Sequence, residues 1–168
     1  MPKLPVNELV GSLALLISDA YRTKRKVLIC GNGGLAAEAE HFAAELMGKF
    51  GREFFVPCIA LTSNTSLLTA LANDYGYEEV FAHQVSVLGA PGDILIAMTT
   101  SASRNIVKAL VRGKEQGLKT VCLCGPGSPD MEADMTIRTG GEDEVAAIQQ
   151  DILAFLHCAA YDAKGQLA

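Results

Sequence analysis

Apolar residues along this chain gather in short runs, each closed by a glycine- or hydroxyl-rich turn and followed by a stretch with helical spacing. Lys26-Val27-Leu28-Ile29-Cys30 leads into Gly31-Asn32-Gly33-Gly34, and then into an Ala- and Glu-rich helix predicted from about Leu35 to Met47, with Gly48 as its stop. Further strands are predicted at Pro57–Thr62, at Asp93–Met98 after the turn signal Pro91-Gly92, at Lys119–Cys124, and as a short piece at Asp134–Arg138. Strands that are apolar almost throughout, alternating with helices, call for a parallel sheet covered on both faces. The predicted fold class is α/β: a doubly wound, five-stranded parallel sheet flanked by helices, in one domain spanning 1–168.

Two more helices bracket that core. The first runs from about Asn7 to Tyr21, with Leu9, Leu13, Leu16 and Ile17 on one face. The second runs from about Asp143 to Ala163 and carries Val145, Ile148, Ile152, Leu156 and Ala159. Its spacing is close to a 3.5-residue seam, which predicts packing on helices of neighbouring subunits; packing on its own sheet is the other reading.

Composition narrows the function classes. Hydrophobic residues make up 49% of the 168 positions, which excludes a disordered chain. A net charge of −5, with no basic run longer than Lys24-Arg25-Lys26, argues against a nucleic-acid-binding surface. The five cysteines include a CxC, Cys122 and Cys124, and no CxxC pair, so they read as buried thiols in a reducing compartment. The start of the chain lacks a signal-peptide pattern, and no apolar run approaches the roughly 20 residues of a membrane span. The expectation is a cytoplasmic protein without a membrane segment.

Ligands of open α/β sheets bind beyond the carboxyl ends of the strands. Gly31-Asn32-Gly33-Gly34-Leu35-Ala36 fits GxGxxA, but the next strand ends in Leu61-Thr62-Ser63-Asn64, without the carboxylate a dinucleotide ribose requires. Thr99-Thr100-Ser101-Ala102-Ser103 places four hydroxyls at a helix start near Arg104, a suitable cradle for a phosphate. His41 and Glu45 stand at i and i+4 on one helix face, a spacing that lets two side chains share a metal ion. Gln149 and His157 lie on the last helix about 12 Å apart along its axis, near the limit of what one metal bridges. Those two reach a site from different chains, or only one of them binds at a time; spacing alone does not choose.

Gly31-Asn32-Gly33-Gly34 with Ala36–Leu46, Ala72–Phe81, and Ile148-Gln149 followed by His157 resembles the phosphoheptose isomerases (sedoheptulose 7-phosphate isomerases) of the sugar isomerase, or SIS, superfamily. The resemblance runs from about Lys26 to His157. It implies a homotetramer with active sites between subunits and one zinc ion (Zn2+) per subunit. His41, Glu45, Gln149 and His157 would be the zinc ligands, with Glu45 and His157 also placed for proton transfer. Asn32, Gly33, Gly34, Glu45, Asn73, Asp74, Thr99, Thr100, Ser101, Ser103 and Gln149 would line the sugar phosphate. The implied reaction converts sedoheptulose 7-phosphate to D-glycero-D-manno-heptose 7-phosphate through an enediol, at the start of nucleotide-activated heptose synthesis for lipopolysaccharide.

The chain departs from the family at several points. Leu35 stands where Ser is usual, removing a hydroxyl expected at the pocket entrance; the phosphate loop is one residue shorter and lacks its Gly; Ala147 replaces a common Arg. Little length precedes the first helix for an extra N-terminal one. The assembly expected from these features is a homotetramer held mainly by the helices starting near Asn7 and Asp143, with Glu45 and His157 of one site supplied by different chains. Two other readings stay open: an isomerase for a related sugar phosphate, and a non-catalytic SIS module of the kind that associates with a replication initiator.

Overall fold

The computed structural model describes residues 6–51, 53–139 and 144–167. In chain order the elements are α1 (Val6–Arg22), β1 (Val27–Cys30), α2 (Gly34–Met47), β2 (Cys58–Ala60), α3 (Thr65–Tyr75), a 3-10 turn (Tyr77–Glu79), α4 (Val80–Leu88), β3 (Ile94–Thr99), α5 (Arg104–Glu115), β4 (Lys119–Cys124), β5 (Met135–Arg138) and α6 (Val145–Gly165). Five strands form one sheet in the order β2-β1-β3-β4-β5, every pair parallel. The doubly wound architecture predicted from the apolar runs is therefore the observed one. Asp143, expected as the start of the last helix, lies outside the described residues.

The three inner strands feed two cores, because alternate side chains point to opposite faces. Val27 and Ile29 of β1, Ile94, Ile96 and Met98 of β3, and Val121 and Leu123 of β4 pack under α1, α2 and α6. Leu28, Cys30, Leu95, Ala97, Cys122 and Cys124 pack under α3, α4 and α5. Four of the five thiols are buried, Cys158 is exposed, and all are free. At the start of β3, the buried Asp93 accepts the backbone N–H of Lys26 and of Ala90 and pairs with the Lys26 ammonium. Burial alone would raise its pKa, but these bonds together hold it below the usual carboxylate range.

The structure corrects the reading of α6. Ile148, Ile152, Leu156 and Ala159 are buried within this chain, in the core shared with α1 and α2. Only Val145 of the predicted seam is exposed. The seam's periodicity reflects a face that is covered, and the chain's own helices cover it.

The winding changes direction between β1 and β3, since β1 pairs with β2 on one side and β3 on the other. That switch point opens a crevice at the carboxyl ends of the strands. The turn after β1 and the loop after β3 form its two lips.

Candidate active site

Two helices of the first core bring the chemistry together. His41 and Glu45 sit one turn apart on α2, and His157 reaches them from α6. Glu45 Oε1 lies 3.1 Å from Nε2 of His41 and 3.1 Å from Nε2 of His157. The two Nε2 atoms are themselves 3.1 Å apart. Glu45 is buried, with 9% of its side chain accessible, while His41 and His157 keep 54% and 39% open. The second carboxylate oxygen of Glu45 is buried without a hydrogen-bond partner. The pairing is made within one chain, so the expectation that Glu45 and His157 of a site come from different chains is not met.

This donor set fits a divalent metal. Its three ligand atoms lie within 4.8 Å of one another. Tetrahedral ligands about 2.0–2.1 Å from zinc stand about 3.3 Å apart, close to the spacing here, and two imidazoles with a carboxylate are a donor set zinc accepts. A metal would also join all three atoms at once, whereas a proton bridges only one pair of them.

Charged neighbours surround the group. Glu38, one turn before His41, is half-buried with one carboxylate oxygen unpartnered. Burial pushes its pKa up to about 7, against the lowering effect of His41. Lys164, two turns beyond His157 on α6, is fully buried and donates to the Gly48 carbonyl. Burial lowers its pKa, and the Glu45 charge opposes that shift.

Gln149 joins α6 to the crevice rather than to the histidines. A Cβ added at Gly34 would lie 2.7 Å from Gln149 Oε1, so the amide rests on the bare backbone at the start of α2. Gly33 beside it has φ +59 and nothing near its Cβ position, which leaves the lip open. Across the crevice, Thr99 Oγ1 accepts the backbone N–H of Ser101 at 3.3 Å and of Ser103 at 3.2 Å. The loop turns through Ala102, a non-glycine residue at φ 56. Ser103 is the N-cap of α5 and makes no side-chain capping bond, so its hydroxyl is uncommitted there. The lips are tied together: Asn32 and Asn105 exchange two amide hydrogen bonds, 2.9 and 2.8 Å, and the Tyr77 hydroxyl adds a third to Asn32 at 3.1 Å.

Among the expected residues, then, the structure gathers His41, Glu45 and His157 in one group. It sets Asn32, Gly33, Gly34, Gln149 and the Thr99–Ser103 loop around the crevice. Asn73 and Asp74 are exposed near the end of α3, the Asn73 amide donating to Asp74. No side-chain hydrogen bond or ion pair among the described residues links them to the rest. Leu35 is a core residue at 2% exposure and does not line the entrance. Sequence reasoning passed over Glu38, Tyr77, Asn105 and Lys164. Helical spacing was an available signal for two of them, since Glu38 is i−3 from His41 and Lys164 is i+7 from His157.

Comparison with known proteins bears on the fold and the family. The SIS domain family profile matches residues 7–125. The phosphoheptose isomerase of Campylobacter concisus is 43% identical over 163 residues, 92% of this chain and 86% of that protein. That of Helicobacter pylori strain P12 is 41% identical over 156 residues, 90% and 81% of the two chains. The solved phosphoheptose isomerase of Francisella tularensis superposes with a TM-score of 0.86 at 31% identity, covering 93% of this chain and 85% of the other. The Neisseria gonorrhoeae enzyme gives a TM-score of 0.80 at 31% identity, with 93% and 85% covered.

Proposed function

The chain belongs to the phosphoheptose isomerase family of SIS-domain proteins, and on that premise we propose that it interconverts sedoheptulose 7-phosphate and D-glycero-D-manno-heptose 7-phosphate. The observation that carries this reading is the meeting of Glu45, His41 and His157 at 3.1 Å on two helices beside the crevice.

Moving a carbonyl between C2 and C1 requires one proton to pass between those carbons and another between their oxygens. In our reading the Glu45 carboxylate takes the C1 proton of the ketose while His157 donates a proton to the C2 oxygen, giving the enediol. Return of the proton to C2 from Glu45, with loss of the C1 hydroxyl proton to His157, completes the aldose. No atom is gained or lost. The hydroxyls of Thr100, Ser101 and Ser103, with Thr99 organising the loop N–H groups, bind the phosphate and anchor the flexible sugar at its far end. Asn32, Gly33, Gly34, Asn73, Asp74 and Gln149 complete the binding surface.

We assign a zinc ion to His41, Glu45 and His157; Gln149, the further ligand the family resemblance implies, rests on Gly34 in its own chain about 12 Å along α6 from His157, and would reach the ion only from a different chain. When bound, the ion would polarise the carbonyl and stabilise the enediolate oxygen. Glu45 would then divide its carboxylate between ligation and proton transfer, and His157 would act as the acid only while its Nε2 is not bound to the ion. The same premise supports a homotetramer acting in the cytoplasm on heptose destined for lipopolysaccharide. No helix among the described residues is long and apolar enough to cross a membrane.

Incubating the purified protein with sedoheptulose 7-phosphate, with and without zinc, tests the proposal by the appearance of the aldose. Turnover of a different ketose phosphate alone would point to the related-isomerase reading. Absence of turnover on any ketose phosphate, in zinc-loaded folded protein, would leave the binding module.

A further inference from the structure

The Asn32–Asn105 pair lies outside the proton-transfer group, yet it joins the two lips of the crevice. Asn105 sits in the first turn of α5 and is 3% exposed, so its carboxamide has been taken out of water at a cost that only hydrogen bonds offset. Both of its bonds go to one partner, Asn32, on the opposite lip. Asn32 Oδ1 accepts from Asn105 at 2.8 Å and from the Tyr77 hydroxyl at 3.1 Å, which occupies both lone pairs. One Asn32 N–H is given to Asn105 at 2.9 Å. The second has no partner within the described residues. A reciprocal amide pair fixes the plane of each carboxamide, because rotating either breaks both bonds.

We propose that Asn105 is a positioning residue for the sugar: it holds the Asn32 carboxamide in one orientation, spaces the glycine turn from the hydroxyl loop, and leaves one Asn32 N–H to donate to a sugar oxygen. The inference rests on the sugar-phosphate reading above, and its consequence separates two parts of the ligand. The phosphate is held by the hydroxyl loop, which does not need Asn32. The sugar chain is met by Asn32, which needs Asn105.

The test is a double-mutant cycle on binding, with turnover measured separately. Calorimetric dissociation constants for sedoheptulose 7-phosphate and for inorganic phosphate are taken for the parent, Asn32→Ala, Asn105→Ala and the double variant. Asn105→Ala weakens the sugar phosphate about 10-fold, the scale of one net hydrogen bond, and inorganic phosphate by less than about twofold. Asn32→Ala gives the same pattern, and the double variant is no worse than either single one. An equal loss for both ligands would mean that Asn105 only holds the first turn of α5, and would overturn the proposal. Additive losses in the double variant would overturn it too. Should Asn105→Ala fail to fold, Tyr77→Phe removes the exposed third bond and weakens the sugar phosphate about two- to threefold with phosphate unchanged; an unaltered sugar-phosphate affinity refutes the coupling. A parent protein that binds but never isomerises the sugar rejects the isomerase reading and leaves this cycle interpretable.

Discussion

Replacing Glu38 by Gln in metal-free protein should stabilise the fold at pH 8 far more than at pH 5. Glu38 is half-buried beside His41, one of its oxygens has no partner, and burial raises its pKa from the ordinary 4.5 to about 7. A raised carboxyl pKa favours the folded state below about pH 4.5, and that advantage is lost as pH climbs towards 7. Above pH 7 the fold carries an ionised carboxylate that the unfolded chain would solvate freely. At about 1.36 kcal/mol per unit, the full shift would cost about 3 kcal/mol at pH 8 and under 1 kcal/mol at pH 5. Because the side chain is half-open to solvent, screening reduces the difference to about 1 kcal/mol. For a chain of this size that is about 2–4 °C in melting temperature. The assay is thermal unfolding of both proteins at pH 5 and pH 8, with chelator present and protein concentration fixed, since metal and subunit binding would shift the midpoint. A gain of the same size at both pH values would show that the carboxylate pays no penalty for its charge, and the reasoning would fall.

Three other outcomes follow from the site and its loops. His41→Ala lowers bound zinc and turnover together, each by more than about 100-fold, the upper end for losing a residue that merely supports a ligand; elemental analysis finding active but metal-free parent protein would retire the zinc role. Mixing Glu45→Gln with His157→Ala, by unfolding and reassembling the two variants together, restores no activity, because both groups come from one chain at 3.1 Å. Recovery towards the roughly one quarter expected of randomly shared sites would restore the two-chain arrangement. Ala102→Gly keeps or raises the melting temperature, since relief of about 1–2 kcal/mol at φ 56 outweighs the extra freedom of glycine when unfolded; a fall as large as that caused by Ala109→Gly within α5 would contradict a left-handed loop.

The sheet was legible because its strands are buried on both sides, and continuous apolar runs such as Val27–Cys30 and Ile94–Thr99 have little other use. The strand ends were less so. Pro57 and Leu61 each share one backbone hydrogen bond with β1, yet the strand itself is only Cys58–Ala60, and Thr62 lies beyond the last of those bonds. Helix periodicity told which face of α6 is covered and not by what, so Ile148, Ile152 and Leu156 were taken for a subunit seam when α1 and α2 bury them. The networks across the crevice were illegible for a different reason. Asn32 and Asn105 are 73 positions apart, and one asparagine in a first helical turn resembles any other until its partner is in place.

The convergence of Glu45 with His157 has a simpler origin than either motif suggests. Helices α2 and α6 pack together on one face of the sheet, and both run in the same direction because each starts beyond the carboxyl end of the strand before it, β1 and β5. Gln149 touches α2 at Gly34, where only a residue without a Cβ leaves room for the amide. From that contact, His41 is seven residues further along α2, about 10.5 Å, and His157 is eight residues further along α6, about 12 Å. Two helices fixed against each other at one point and advancing by nearly equal rises bring those side chains level. The contact at Gly34 thus marks where His41 and Glu45 of α2 come level with His157 of α6. A side chain at position 34 would first displace the Gln149 amide, the flexible end of its side chain, so the Gly31–Gly34 turn governs the crevice lining before it governs the helix register.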